Sequence, residues 1–118
     1  MNVITKKVTV LASVILAIAQ MALADERHLS VSESIAAAVT RPQPEYPQIA
    51  KQVGLEGTVS LNAYVTEEGT VERVEQVSGN PVLGHSAEEA LMHWKFVRQT
   101  EDGKPVKFVA SVNFSFRQ

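Results

Sequence analysis

Two segments of the chain alternate apolar and polar residues over most of their length. In residues 57–66 the apolar residues occupy every second position from Val59 to Val65, and in residues 106–116 they occupy every even-numbered position. Because successive side chains of a β-strand point to opposite faces, both segments are predicted to be strands with one buried face. The phenylalanines of the last segment lie on its apolar face and are predicted to belong to the core.

A third strand is predicted over residues 71–77. It follows a hairpin turn at residues 67–69, which contains the glycine that such turns require. Its valines are three residues apart, a spacing that fits the two-residue period of a strand only if a bulge interrupts the ladder near Glu72 or Arg73. A second turn is predicted at residues 102–103, where aspartate precedes glycine.

Two helices complete the predicted set of elements. The first begins at Tyr46-Pro47 and ends at Gly54, because glycine readily adopts the left-handed conformation of a helix cap. The second covers residues 83–94, where apolar residues recur with the helical period. The order helix, strand, strand, helix, strand predicts an α+β fold, a two-layer sandwich in which two helices cover one face of an antiparallel three-stranded sheet.

The N-terminus has the pattern of an export signal. Lys6 and Lys7 precede an uncharged, mostly apolar run over residues 8–24, and an acidic pair follows. This order predicts a signal peptide over residues 1–24 that is cleaved to leave a periplasmic protein. The run is at the lower edge of what spans a bilayer, which favours the cleaved signal. The alternative is an uncleaved anchor in the inner membrane formed by residues 8–24, because small residues before an acidic pair do not guarantee cleavage. In both cases the rest of the chain is exported.

Residues 25–41 differ in character from the predicted elements that follow them. They are mostly polar and end before Pro42, so they are predicted to be a flexible tether. The folded domain is then predicted to comprise residues 42–118, and the chain has room for one domain only.

The composition excludes several classes of function. With 11 lysines and arginines against 13 acidic residues, the chain has no excess of positive charge for binding nucleic acid. It has no cysteine, which excludes disulfides and thiolate chemistry. His85, Glu89 and His93 share one helix face, but the two histidines would stand about 12 Å apart along the axis, too far to hold one ion. No metal site, cofactor or catalytic residue is predicted, and the protein is not expected to be an enzyme.

Several short motifs resemble the TonB C-terminal domain family. They follow one another in the order and spacing of that family and together cover residues 42–117. The motifs are Gln43-Pro44-Glu45-Tyr46-Pro47 with Ala50, Gly54-Leu55-Glu56-Gly57-Thr58-Val59, Ser78-Gly79, Trp94-Lys95-Phe96 and Asp102-Gly103-Lys104-Pro105-Val106. Two residues depart from the family pattern, since Arg98 replaces a frequent proline and Gly84 stands where an acidic capping residue is usual.

The resemblance implies both a fold and a function. The implied fold is the α+β sandwich described above. The implied function is that of a periplasmic protein-binding module, linked to TonB-dependent transport, that docks a short segment of an outer-membrane transporter. Inner-membrane motor proteins are candidate further partners. If the final strand lies at a sheet edge, the transporter segment would add to it as another strand.

The residues expected to contact that segment come from two parts of the chain. Alternate residues of the final strand point away from the core, and the resemblance implies that the approach to the first helix lies near the transporter. The candidates are Gln43, Tyr46, Lys107, Val109, Ser111, Asn113 and Ser115.

Two alternatives remain open at this point. In the first, Tyr46 and Pro47 serve only to hold the start of the helix. In the second, the edge strand pairs with the same strand of another copy, and the protein is a homodimeric structural or scaffold protein with no role in transport.

Overall fold

The structure is a computed structural model and describes residues 26–118. The predicted signal peptide, residues 1–24, therefore lies outside the described residues. The helices and strands are β1 (Arg27–Leu29), α1 (Val31–Ala37), β2 (Ala38–Thr40), α2 (Gln48–Gln52), β3 (Gly57–Val65), β4 (Val71–Ser78), α3 (Pro81–Met92), β5 (Lys95–Phe96), β6 (Gln99–Glu101), β7 (Lys104–Val106) and β8 (Phe108–Phe116).

The central sheet has the strand order β1-β8-β3-β4. β3 lies in its middle and pairs antiparallel with β8 along its whole length, from Gly57 opposite Phe116 to Val65 opposite Phe108. β4 pairs antiparallel with the other side of β3. The predicted α+β class and its three antiparallel strands are confirmed, and a short parallel strand, β1, is added at one side.

The predicted bulge in β4 is present. Tyr64 pairs with Arg73 and Val65 pairs with Val71, so Glu72 has no partner on β3. A second irregularity leaves out Val77, whose side chain is 59% exposed. The extra residue at Glu72 shifts the alternation by one position, which explains why Val71 and Val74 both face the core although they are three residues apart.

The core lies between the sheet and α3 and is rich in aromatic contacts. Trp94 packs edge-on against Phe114 at 5.5 Å between ring centroids, and Phe96 packs edge-on against Phe108 at 5.8 Å. Phe108, Phe114 and Phe116 are all buried, so their prediction as core residues is confirmed. Edge-to-face rings are favourable because the positive edge of one ring meets the negative face of the other.

The start and end of α2 are close to their predicted positions. Pro47 caps the helix, and Gly54 follows it with a φ of +68°, the left-handed conformation that glycine tolerates best. The Leu55 backbone amide then donates to the Ala50 carbonyl at 2.8 Å and closes the cap. The Tyr46 hydroxyl donates to the Leu55 carbonyl, so the residues before and after α2 are joined.

The predicted final strand is divided in two. The aspartate-glycine turn at residues 102–103, where both residues have positive φ, joins β6 to β7 in a separate hairpin. β8 begins only at Phe108. The strand that joins the central sheet is therefore shorter at its start than the alternation indicated.

The prediction of a flexible tether over residues 25–41 is wrong for most of this range. Residues 27–40, called the N-terminal segment from here on, form β1, α1 and β2. α1 starts with a complete capping box, in which the Ser30 hydroxyl accepts from the Glu33 amide and the Glu33 carboxylate accepts from the Ser30 amide. β2 pairs with β5, and β1 pairs with β8. Folding of this segment changes the surface at which a partner was expected.

Candidate peptide-binding edge

The outer side of β8 is divided into a covered part and an open part. β1 pairs with β8 in parallel, with Arg27 opposite Phe108 and Leu29 opposite Ala110. Along residues 111–116, called the open edge from here on, no strand of the described chain pairs with this side of β8. Since successive residues of a strand direct their backbone groups to alternate sides, the open edge presents unpaired amides and carbonyls.

The side chains of the open edge follow the predicted alternation. Val112 and Phe114 face the core, whereas Asn113 and Ser115 are exposed on the opposite face of the sheet. Ser111 is half-buried on that same face, and its hydroxyl lies 3.2 Å from Oδ1 of Asn62 in β3, to which it donates. The face beside the open edge is thus polar and uncharged.

Val109 does not have the exposure expected of a contact residue. It is only 2% exposed, because it is flanked by His28 of β1 on one side and Tyr64 of β3 on the other. A peptide added to β8 cannot reach Val109 while β1 is in place. The expectation that Val109 is available to a partner is therefore corrected.

Lys107 lies just before β8, outside the ladder. Its ammonium group is 3.8 Å from the Glu72 carboxylate, and both side chains are exposed. Exposed ion pairs of this kind contribute little to stability, so Lys107 is free to exchange this partner for another acidic group.

Tyr46 is placed at the far end of the same strand. Its ring packs edge-on against Phe116 with the ring centroids 5.6 Å apart. Desolvation, with a smaller contribution from the nearby Glu56 carboxylate, raises the pKa of the Tyr46 hydroxyl. Because the ring is half-buried and its hydroxyl is bonded to Leu55, this geometry fits the alternative in which Tyr46 holds the start of α2.

Gln43 is exposed in the extended stretch between β2 and α2. Two bonds to its backbone hold this stretch beside α3: the indole of Trp94, just after α3, donates to the Pro42 carbonyl at 3.0 Å, and the Ser86 hydroxyl of α3 donates to the Glu45 carbonyl. Gln43 is thus fixed beside α3, whereas Ser111, Asn113 and Ser115 are gathered on β8. The predicted candidates do not form one continuous cluster.

The histidine and glutamate that share one helix face in the sequence lie on the exposed side of α3. His85 and Glu89 form an exposed pair at 3.2 Å on α3, at the rim of a shallow hollow lined by Glu45, Pro47 and Val82. Within the described part of the chain, no group of three or more side chains is arranged to hold a metal ion. None of the described helices combines the length and the apolar character needed to cross a bilayer.

β1 was missed because a strand of three residues contains too few positions to show a period. The serine and glutamate three residues apart at Ser30 and Glu33 were a visible sign that a helix begins there.

Residues 42–118 match the family model described as the Gram-negative bacterial TonB protein C-terminal. The chain is 35% identical over 77 residues to protein TonB of Vibrio cholerae, which covers 64% of this chain and 32% of that protein. It is also 35% identical over 78 residues to protein tonB2 of Pseudomonas aeruginosa, with 64% and 29% covered. The matched part is thus about a third of the length of these relatives.

A solved structure has the same fold. The solution structure of the Pseudomonas aeruginosa TonB C-terminal domain superposes with a TM-score of 0.58 at 24% identity, over 69% of this chain and 84% of that one. The N-terminal segment precedes the residues that the family model matches.

Proposed function

The chain belongs to the family of Gram-negative bacterial TonB protein C-terminal domains, and from this membership we propose that it is a periplasmic module that binds a segment of an outer-membrane transporter. The segment would add to β8 as an extra strand. Members of this family are binding and energy-transducing proteins, and the proposal assigns no catalytic residue. The single observation that supports strand addition is the open edge of β8.

Main-chain hydrogen bonds would supply most of the attraction. An extended peptide beside residues 111–116 would satisfy backbone groups that otherwise bond to water, whatever its side chains are. No charged residue lies within β8 itself, so charge contributes little at this point of contact. Recognition would therefore tolerate many sequences, as long as the peptide is extended.

The side chains around the open edge would favour guest peptides with a particular alternation of apolar and polar residues, without requiring one fixed sequence. Neighbouring strands place paired residues on the same face of a sheet. Guest side chains on the core face would lie beside Val112 and Phe114, and those on the other face would lie beside Ser111, Asn113 and Ser115. The best guest would alternate apolar and small polar residues.

The test is a titration of the isotopically labelled chain with synthetic peptides copied from the periplasmic segments of outer-membrane transporters. We expect the backbone amide signals of residues 111–116 to shift and to gain protection from exchange. The amides of β4, at the opposite side of the sheet, serve as the internal control and should not change.

Two chemically modified peptides separate strand addition from other modes of binding. N-methylation at one set of alternate positions removes the guest amides that face β8 and should abolish binding. N-methylation at the other set removes amides that face solvent and should have little effect. Equal binding by both modified peptides, or shifts at β4 without shifts at residues 111–116, would reject the proposed mode.

A homodimer is the second candidate, because the same open edge is equally available to another copy. In that case residues 111–116 would be protected in the absence of peptide, and the protection would increase with protein concentration. Sedimentation of the peptide-free chain across a range of concentrations distinguishes the two functions.

A further inference from the structure

The N-terminal segment occupies part of the strand to which a guest peptide would bind. β1 lies on the outer side of β8, the side that carries the open edge, and covers Phe108 through Ala110. A guest that pairs with all nine residues of β8 would have to occupy the position that β1 now holds. The segment is thus already bound where the proposed partner would bind.

β1 itself is held by one buried side chain, one side-chain bond and its ladder with β8. Leu29 is 4% exposed and enters the core beside Ala110, and the Arg27 guanidinium donates to the Thr100 carbonyl at 3.1 Å. Elsewhere in the segment, the large apolar side chains Ile35 and Val39 are 42% and 68% exposed. The rest of the segment is held separately, because α1 contacts β8 with Ser34 fully buried and the Val97 amide donates to the Ala37 carbonyl at 2.8 Å. Release of β1 alone breaks only its ladder of three residues and the burial of Leu29, so it costs less than global unfolding.

The antiparallel part of the central sheet contains no residue of the N-terminal segment. The family match begins at residue 42, after the segment ends, and the β4-β3-β8 ladder contains no residue of the segment. Loss of β1 would uncover the first residues of β8 and would leave this ladder unchanged. β1 and a guest peptide can therefore compete for the first residues of β8.

We propose that the N-terminal segment is a built-in competitor for the guest site: β1 must leave β8 before a transporter peptide can pair with the whole strand. This inference rests on the proposed function. While β1 is bound, only the open edge is available, so a full-length guest binds with an affinity reduced by the fraction of molecules in which β1 is released. Docking of the guest would in turn free the segment.

Two peptides and two variants test the competition. One peptide has nine residues, to match the whole of β8, and the other is shortened so that it pairs only with residues 111–116. Leu29→Ala removes the buried anchor of β1, and Val39→Ala makes the corresponding truncation at an exposed position of the same segment. Dissociation constants are measured by calorimetry for both peptides on each protein.

The expected pattern is specific to release of β1. Leu29→Ala should tighten binding of the nine-residue peptide by about tenfold or more, because it raises the released fraction. It should not change the affinity for the short peptide, and Val39→Ala should change neither. Equal binding of the long peptide to the Leu29→Ala protein and to the unaltered protein would overturn the inference.

A second measurement uses the unaltered chain and does not depend on the folding of a variant. When the long peptide binds, hydrogen exchange at the amides of residues 27–29 should become faster while exchange at residues 111–116 becomes slower. Binding with β1 still protected would refute competition but leave the proposed function standing. Failure of both peptides to bind any of the proteins would instead reject the proposed function, and the inference with it.

Discussion

Substitution of Gly84 by alanine tests the packing of α3 against β4. Gly84 is buried on the face of α3 that meets the sheet. A Cβ atom at this position would overlap with Oε1 and Cδ of Gln76 and lie 2.6 Å from its Nε2. Gln76 is itself engaged, because its Nε2 donates to the Gly79 carbonyl at 3.0 Å in the turn before α3. The alanine methyl group must displace either this amide or the helix.

The size of the effect follows from opposing contributions. Alanine is favoured over glycine inside a helix by about 1 kcal/mol. Against this, the obstacle is the terminal amide of the flexible, half-exposed Gln76 side chain, which can rotate away, and loss of its bond to Gly79 costs about 1 kcal/mol. We therefore expect these contributions to offset each other, so that Gly84→Ala changes the free energy of unfolding by less than about 1 kcal/mol.

Urea unfolding followed by fluorescence measures this change directly, since the chain has a single tryptophan and Trp94 is buried. The control is Gln76→Ala, which removes the obstructing side chain. In that background, Gly84→Ala should become stabilising by up to about 1 kcal/mol, because only the helix preference remains. If Gly84→Ala stabilised the unaltered chain as much as it stabilises the Gln76→Ala protein, α3 would not approach β4 as closely as described.

Two further predictions concern a backbone contact and the start of α1. Gly69→Ala should destabilise the domain by several kcal/mol in the urea assay, because its Cβ would overlap with the Phe96 carbonyl oxygen. The control Gly103→Ala, also at positive φ but with no atom within 4 Å of the added Cβ, should cost only about 1 kcal/mol. Equal destabilisation by the two variants would contradict the close approach of Gly69 to Phe96. The bonds from the Ser30 backbone and side chain lower the pKa of Glu33, so its stabilisation of α1 is complete above the ordinary glutamate value and is lost as pH falls through the lowered value. Amide chemical shifts of residues 31–37 should follow this transition, and Glu33→Gln should remove it; a pH-independent α1 in the unaltered chain would refute the prediction.

Local patterns in the sequence were sufficient for much of the fold. The alternation around Val59 and around Val112 identified β3 and β8 because a strand with one buried face repeats every two residues. The spacing of valines in β4 located the bulge at Glu72, since an extra residue must shift that repeat. Gly54 marked the end of α2, because few other residues adopt its φ of +68° without strain.

The candidate site was only partly visible in the sequence. The exposed positions of Asn113 and Ser115 follow directly from alternation, and both lie where they were expected. Val109 follows the same alternation but is buried, because β1 pairs with β8 at this position. Periodicity shows which face of a strand a residue lies on, but it does not show whether another strand covers that residue.

What the sequence determined by itself is the set of elements whose signal is local: the main strands, α2 and α3, their turns and the aromatic core. Tertiary structure alone decided that Leu29 packs beside Ala110, far along the chain, and that β1 therefore covers the start of β8. A strand of three residues has no period of its own, and its pairing depends on the cavity and the free backbone that the rest of the fold provides.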